Sequence, residues 1–219
     1  MKKTLFSVLF IITFFCTLIA QNIPMRENYI ITMNASGDLD NDGISELVVA
    51  YDLATDRKKS NSTRELIIYK EKNNQWMVWK TSKQALYGID EGGQMGDPLV
   101  GMEIKKGVLS IVHYGGSSWK WGQTDKYRFQ EGEFFLIGYK SLSGKLCEYW
   151  EKVDFNLSTG KMVVTKEYED CGAEATKIYK KENETIFEKG LKISLQKRRE
   201  KEIAIITPKY KHKVYVANK

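Results

Sequence analysis

The sequence predicts a mainly β protein whose antiparallel sheets are built from consecutive hairpins. Two observations predict this class: short runs are rich in β-branched and aromatic residues, and clusters of turn-forming residues separate those runs. The 219 residues are 42% hydrophobic and include 5 Trp, 12 Tyr and 9 Phe. This composition excludes a disordered chain and suffices for one medium domain or two small ones.

The first 20 residues predict a signal peptide. Lys2 and Lys3 precede an apolar run from Leu5 to Ala20. This run has 16 residues, whereas a membrane-spanning helix needs about 20. Cleavage after Ala20 would leave a secreted or periplasmic protein without a transmembrane segment, and an uncleaved membrane anchor is the alternative.

The predicted strands follow in a β domain over residues 21–189. Six runs carry the strand pattern, at 46–50, 65–69, 76–79, 108–114, 127–129 and 134–139. Turn clusters at 72–74, 105–107 and 130–132 have the length of hairpin loops, which favours antiparallel pairing.

An acidic loop over residues 37–49 predicts a calcium site between two strands. Carboxylates at alternate positions, a glycine and a further acid at the ninth position are how a short loop arranges oxygen ligands around calcium. The predicted ligands are the side chains of Asp38, Asp40, Asp42 and Glu46 and the backbone carbonyl of Ile44. Val49 stands where an EF-hand needs its bidentate Glu, so an EF-hand is excluded. An acidic hairpin turn is the alternative.

This loop resembles the calcium motif of FG-GAP or VCBS repeats, found in integrin-alpha propellers and in many secreted bacterial proteins. The resemblance covers roughly residues 33–52. It implies that Asp38, Asp40, Asp42 and Glu46 bind calcium, with Glu46 in place of the more usual Asp. A propeller needs about four to eight blades, and the sequence contains one such loop, so a complete propeller is not predicted. The remainder resembles secreted β proteins without an assigned function.

Two tryptophans are the candidate ligand-binding residues. Trp119 and Trp121 lie in a Gly- and Ser-rich segment, where exposed rings could stack on a glycan or a protein ligand. Most neighbouring aromatic residues alternate with polar ones, which is typical of a half-buried strand. The alternative is that both tryptophans belong to the core.

Cys147 and Cys171 predict a disulfide. They are the two cysteines beyond the signal peptide, and thiols pair in an oxidising compartment. The polar turn 156–161 lies midway between them, so an antiparallel hairpin would place them opposite each other. Two free thiols are one alternative. A metal pair is another, but a zinc site lacks ligands because His113 and His212 are the chain's two histidines.

The C-terminal segment, residues 190–219, is basic. The segment contains nine Lys or Arg and two acids, Glu200 and Glu202, so its net charge is +7. We expect a solvated face packed on the same domain, because no nucleic-acid recognition motif accompanies the charge. Residues 192–203 fit either a short helix or a strand, and residues 214–217 fit a closing strand.

The sequence assigns no catalytic residue. It lacks the nucleophile elbow, the zinc-protease helix and the phosphate-binding loop. A histidine–serine pairing of His113 with residues 117–118 is an alternative. Asp90, Glu91 and Asp97 could supply the acid pair of a cell-envelope glycan hydrolase. The favoured function is a calcium-binding β protein that binds a ligand or partner of the cell envelope.

Overall fold

The computed structural model describes residues 22–54, 64–172 and 176–217. It confirms a mainly β protein with antiparallel sheets of consecutive strands. The predicted signal peptide lies outside the described residues. In the described part of the chain, no helix is both long and apolar enough to cross a membrane.

The first four strands form one antiparallel sheet in chain order. They are β1 (Tyr29–Gly37), β2 (Glu46–Leu53), β3 (Arg64–Lys72) and β4 (Gln75–Ser82). Apolar residues occupy successive positions of β2 and β3, and both strands are buried on both faces.

The next seven strands form a second antiparallel sheet in chain order. They are β5 (Leu99–Lys105), β6 (Val108–Gly116), β7 (Lys120–Gln130), β8 (Glu133–Lys145), β9 (Tyr149–Asn156), β10 (Lys161–Cys171) and β11 (Thr176–Phe187). A C-terminal hairpin follows, made of β12 (Ile203–Ile206) and β13 (Lys213–Ala217). Both sheets are linear in strand order, so neither forms a closed barrel or a propeller in the described ranges.

The helix considered for residues 192–203 does not form. The structure has a 3-10 turn at Leu195–Lys197 and then strand β12. Leu195 is fully buried, and Ser194 forms an isolated bridge to Phe135 of β8. The packing of Leu195 against the sheet therefore outweighs the helix propensity of this segment.

The three predicted hairpin loops are confirmed, and their backbone explains their sequences. Both central residues have positive φ in the turns Asn73–Asn74, Lys106–Gly107 and Glu131–Gly132. Positive φ at both positions is the type I′ geometry, whose twist matches that of the flanking strands and which favours Asn and Gly.

One buried core joins both sheets and the C-terminal hairpin. Its members include Val48, Ile68, Ile111, Phe155, Met162, Leu195 and Val216. Because these side chains come from both sheets and from β13, the sheets pack face to face. A second cluster, centred on Val49 and Tyr51, covers the other face of the four-stranded sheet.

The predicted disulfide between Cys147 and Cys171 is confirmed. The two Cα atoms are 5.0 Å apart. Cys147 lies in the turn between β8 and β9, and Cys171 ends β10, so the bridge closes the open end of the β9–β10 hairpin.

Candidate functional site

The acidic loop joins β1 to β2, as the strand–loop–strand prediction requires. The pair Gly37 and Glu46 closes the antiparallel ladder at the base of the loop. Asn41 and Gly43 have φ of +62° and +86°, which turns the chain sharply. A Cβ at Gly37 would lie 2.6 Å from the Ile104 side chain, so this glycine lets the loop approach β5 closely.

Backbone amides orient the first and third aspartates. Asp38 accepts hydrogen bonds from the amides of Asn41 at 2.7 Å and Gly43 at 2.9 Å. Asp42 accepts one from the amide of Ile44 at 2.8 Å. That bond, together with the Lys70 ammonium, lowers the pKa of Asp42.

The structure brings three of the predicted ligands together. One carboxylate oxygen each from Asp38, Asp40 and Asp42 lies within 4.8 Å of the other two. The side chain of Ile44 is exposed. The Oδ1 atom of Asp40 is buried, and it has no hydrogen-bond partner in the described part of the chain.

Glu46 is the buried member of the group. Only 1% of the residue is exposed, and its Oε2 accepts a hydrogen bond from the Leu39 amide at 2.7 Å. Burial raises the pKa of Glu46, although that hydrogen bond opposes the shift. A cation beside this carboxylate would favour its ionised form.

Lys70 of β3 is a residue of this site that sequence reasoning missed. Its ammonium pairs with Asp40 and lies 3.4 Å from Asp42 Oδ2 and 3.7 Å from Glu46 Oε1. It also lies 4.4 Å from the centre of the Trp79 ring. The acidic loop therefore holds an internal counter-charge, supplied by strand pairing that no local motif reveals.

A cavity of about 490 Å³ lies between the seven-stranded sheet, the loop that contains Tyr87 and Glu91, and strand β13. Its wall combines aromatic and polar side chains. The principal ones are Tyr87, Trp121, Tyr139, Ser141, Ser143, Glu151, Lys213 and Tyr215. The volume and the mixed lining are typical of small-molecule sites.

The two predicted ligand-binding tryptophans occupy different places. Trp121 lines the cavity, with its ring centre 5.1 Å from that of Tyr87. Trp119 does not line the cavity; it is 40% exposed and lies 5.2 Å from the Tyr149 ring.

A buried polar network supports the cavity wall. The Tyr87 hydroxyl donates to Gln123 Oε1 at 3.1 Å, and Gln123 Nε2 donates to Asp125 Oδ2 at 3.1 Å. Arg198 contacts the same carboxylate through two hydrogen bonds, of 2.6 and 3.0 Å. These bonds fix the positions of Tyr87 and Gln123 in the cavity wall.

The expectation of a solvated face in the C-terminal segment is wrong for two of its central cations. Arg198 is 2% exposed and pairs with Asp125. Arg199 pairs with Glu91 at 2.9 Å and donates to the Leu86 carbonyl at 2.8 Å. Lys197 is exposed, as expected. The partners precede these arginines by 73 and 108 residues, a separation at which sequence gives no pairing signal.

The residues considered for catalysis contact other groups of the protein. The Nε2 of His113 accepts the Tyr87 amide at 3.4 Å, and burial lowers the pKa of His113 to about 4. Asp97 accepts two hydrogen bonds of 2.8 Å from Arg64. Glu91 contacts Arg199. Two of the three acids considered for a hydrolase are thus each bound to an arginine.

No protein-family model matches the chain, and no curated protein matches it. The resemblance of residues 33–52 to FG-GAP and VCBS loops stays a prediction.

Proposed function

We propose that this is an exported calcium-binding β protein that binds a ligand of the cell envelope in the cavity beside β13. The export proposal is supported by the apolar run that ends at Ala20 and by the disulfide. Disulfides persist in secreted and periplasmic proteins and are rare in the cytosol.

The calcium proposal rests on one observation: carboxylate oxygens from Asp38, Asp40 and Asp42 converge within 4.8 Å. Calcium takes six to eight oxygen ligands at about 2.3 to 2.6 Å. The Ile44 carbonyl and Glu46 would complete a protein shell, with water at the remaining positions. The buried and unpartnered Oδ1 of Asp40 fits such a shell, because a bound cation would satisfy it.

Lys70 sets the condition for binding. Calcium must displace the ammonium from Asp40, because Lys70 pairs with Oδ2 of the same carboxylate whose Oδ1 would bind calcium, and the two cations would repel each other. The ammonium already lies 4.4 Å from the centre of the Trp79 ring, and this cation–π contact can be kept when the ammonium leaves Asp40. Replacing the singly charged ammonium with doubly charged calcium then compensates more of the loop's negative charge.

Calorimetric titration of the mature protein with calcium tests this proposal. Asp40→Asn removes one negative ligand and should weaken binding at least tenfold. Asp154→Asn makes the same change on an exposed aspartate of β9 and should leave affinity unchanged. Asp56→Asn would be a comparable control, but Asp56 lies outside the described residues. If the unmodified protein gives no saturable heat, the calcium proposal is wrong. The loop is then an acidic turn whose negative charge Lys70 partly compensates.

Ligand binding is supported by the cavity itself. Its aromatic wall offers apolar faces, and Ser141, Ser143 and Glu151 offer hydrogen-bonding groups among them. The bonds of Tyr87 and Gln123 hold the wall in place, which lowers the entropic cost of binding.

Ligand-detected NMR with a mixture of monosaccharides, amino acids and aromatic carboxylic acids tests the cavity. Ser141→Trp should fill it and abolish saturation transfer to any compound that binds there. A matched serine-to-tryptophan change at exposed Ser158, in the β9–β10 turn, should not. If no compound binds, or if Ser141→Trp retains binding in a folded protein, the cavity is not a ligand site.

A further inference from the structure

We infer that the cavity binds a neutral saccharide and that a second sugar of the same chain lies on Trp119. This inference rests on the proposed ligand-binding function and adds the chemical class of the ligand.

The cavity wall carries rings suited to the C–H faces of a sugar. Trp121 packs against Tyr87, and Tyr215 on β13 is 38% exposed. The Tyr139 hydroxyl donates to the Tyr215 carbonyl at 2.9 Å, which ties β13 to the sheet. A pyranose has an apolar face and a polar rim, so it can stack on such rings while its hydroxyls reach polar groups.

The polar groups of the cavity match hydroxyl ligands. Ser141 and Ser143 can donate and accept, and the Glu151 carboxylate accepts only. Glu151 faces Lys166 Nζ at 4.0 Å and His212 Nδ1 at 3.8 Å. Both distances exceed a hydrogen bond, so the carboxylate retains capacity to accept from a sugar hydroxyl.

The charges around the cavity favour an uncharged ligand. Glu91 contacts Arg199 at 2.9 Å, and Lys213 lies 3.8 Å from Glu202. Positive and negative groups therefore face each other on the protein. A charged ligand would have to compete with those contacts, whereas a neutral polyol would not.

Trp119 and Tyr149 extend the site beyond the cavity. Tyr149 shares a face of β9 with Glu151, because side chains two residues apart in a strand point the same way, and Trp119 lies in the bend just before β7. The offset between Glu151 and Tyr149 along β9 is about 6.5 Å, comparable to the length of one sugar unit. The ring contact of Trp119 with Tyr149, at 5.2 Å, then forms a second platform.

Titration of the mature protein with glucose, xylose and N-acetylglucosamine and with their β-1,4-linked tetrasaccharides tests this inference. One tetrasaccharide should bind at least tenfold more tightly than its monosaccharide. Trp119→Ala should remove that gain and leave monosaccharide affinity unchanged. Trp121→Ala and Glu151→Gln should weaken both at least tenfold, with circular dichroism reporting that the fold persists. Trp150→Ala removes a tryptophan from the opposite face of β9 and should change neither.

Each other outcome is decisive. A non-sugar compound that binds in the cavity while every saccharide fails would overturn this inference and leave the proposed ligand function standing. Failure of all compounds would overturn both. Saccharide binding that survives Trp121→Ala and Glu151→Gln would place the sugar elsewhere and contradict the assignment.

Discussion

Arg198, in the basic C-terminal segment, makes a two-point ion pair with Asp125, in strand β7 of the seven-stranded sheet. The hydrogen bonds are 2.6 Å from Nε and 3.0 Å from Nη2, and both residues are at most 2% exposed. Asp125 also accepts from the Tyr127 hydroxyl at 3.1 Å. The pair therefore anchors the chain's last segment beneath the cavity wall.

Arg198→Met should destabilise the protein by about 3 to 5 kcal/mol, because it leaves a buried carboxylate without its cation. Urea unfolding followed by tryptophan fluorescence measures this loss. The double variant Asp125→Leu with Arg198→Met should recover much of it, since an apolar pair removes the uncompensated charge. Lys197→Met, at an exposed neighbour, should change stability by less than about 0.5 kcal/mol. A small effect of Arg198→Met alone would contradict the burial of the pair.

His113 should make stability pH-dependent. Burial depresses its pKa from 6.5 to about 4, so the unfolded chain takes up the proton first as pH falls. Stability is therefore lost as pH decreases from about 6.5 toward about 4. Between about pH 7.5 and about pH 5 the loss from this group is about 2 kcal/mol.

Urea unfolding of the unmodified protein and of His113→Gln at those two pH values measures the contribution of His113. Glutamine keeps an acceptor for the Tyr87 amide but does not titrate. The variant's pH dependence should be smaller by the stated amount, because the two proteins share every other titratable group. Equal pH dependence would show that His113 is not buried in its neutral form.

The Cys147–Cys171 bridge should stabilise the fold by about 3 kcal/mol, because it closes a loop with a sequence separation of 24. Replacing both cysteines by serine should lower the unfolding midpoint by the corresponding amount. Both cysteines are exposed, so loss of packing should add little. A reductant should reproduce the effect in the unmodified protein and have none in the double variant, and any other pattern would contradict a persistent bridge.

Local patterns were sufficient to predict the β class, the three hairpin loops and the disulfide. Each depends on residues near one another in sequence: Lys106–Gly107 adopts the turn that its composition favours, and the cysteines flank one hairpin. Strands β5, β11 and β12 were not predicted. β11, for example, carries five charged residues in 176–184 and is held by pairing with β10.

The site was predicted only where its residues are contiguous. The acidic loop is a single segment, so its carboxylates could be named in advance. Lys70 reaches the loop from β3, and the cavity combines β7, β8, β9 and β13. Arg198 looked like part of a solvated charge cluster because its partner, Asp125, lies 73 residues earlier. Contacts of that range depend on how the sheet and the C-terminal hairpin pack.

Lys70→Met should have opposite effects on the protein with and without calcium. Without calcium the loop loses its internal cation, so repulsion among Asp40, Asp42 and Glu46 should lower the melting temperature. With calcium no ammonium must be displaced, so affinity should rise severalfold. Calorimetric titration and melting of the variant measure the two effects. Lys80→Met, on β4, removes an ion pair outside the loop and should leave affinity unchanged. Weaker calcium binding by Lys70→Met would contradict competition.

Thermal melting of the protein in the presence of calcium tests the central claim most directly. At free calcium about a hundredfold above the dissociation constant, binding should stabilise the protein by about 2.7 kcal/mol and raise the melting temperature. Magnesium should do less, because it prefers a smaller octahedral shell and loses water reluctantly. Asp40→Asn should reduce the calcium response, and Asp154→Asn should retain it. An unchanged melting curve at millimolar calcium would contradict the proposed calcium site.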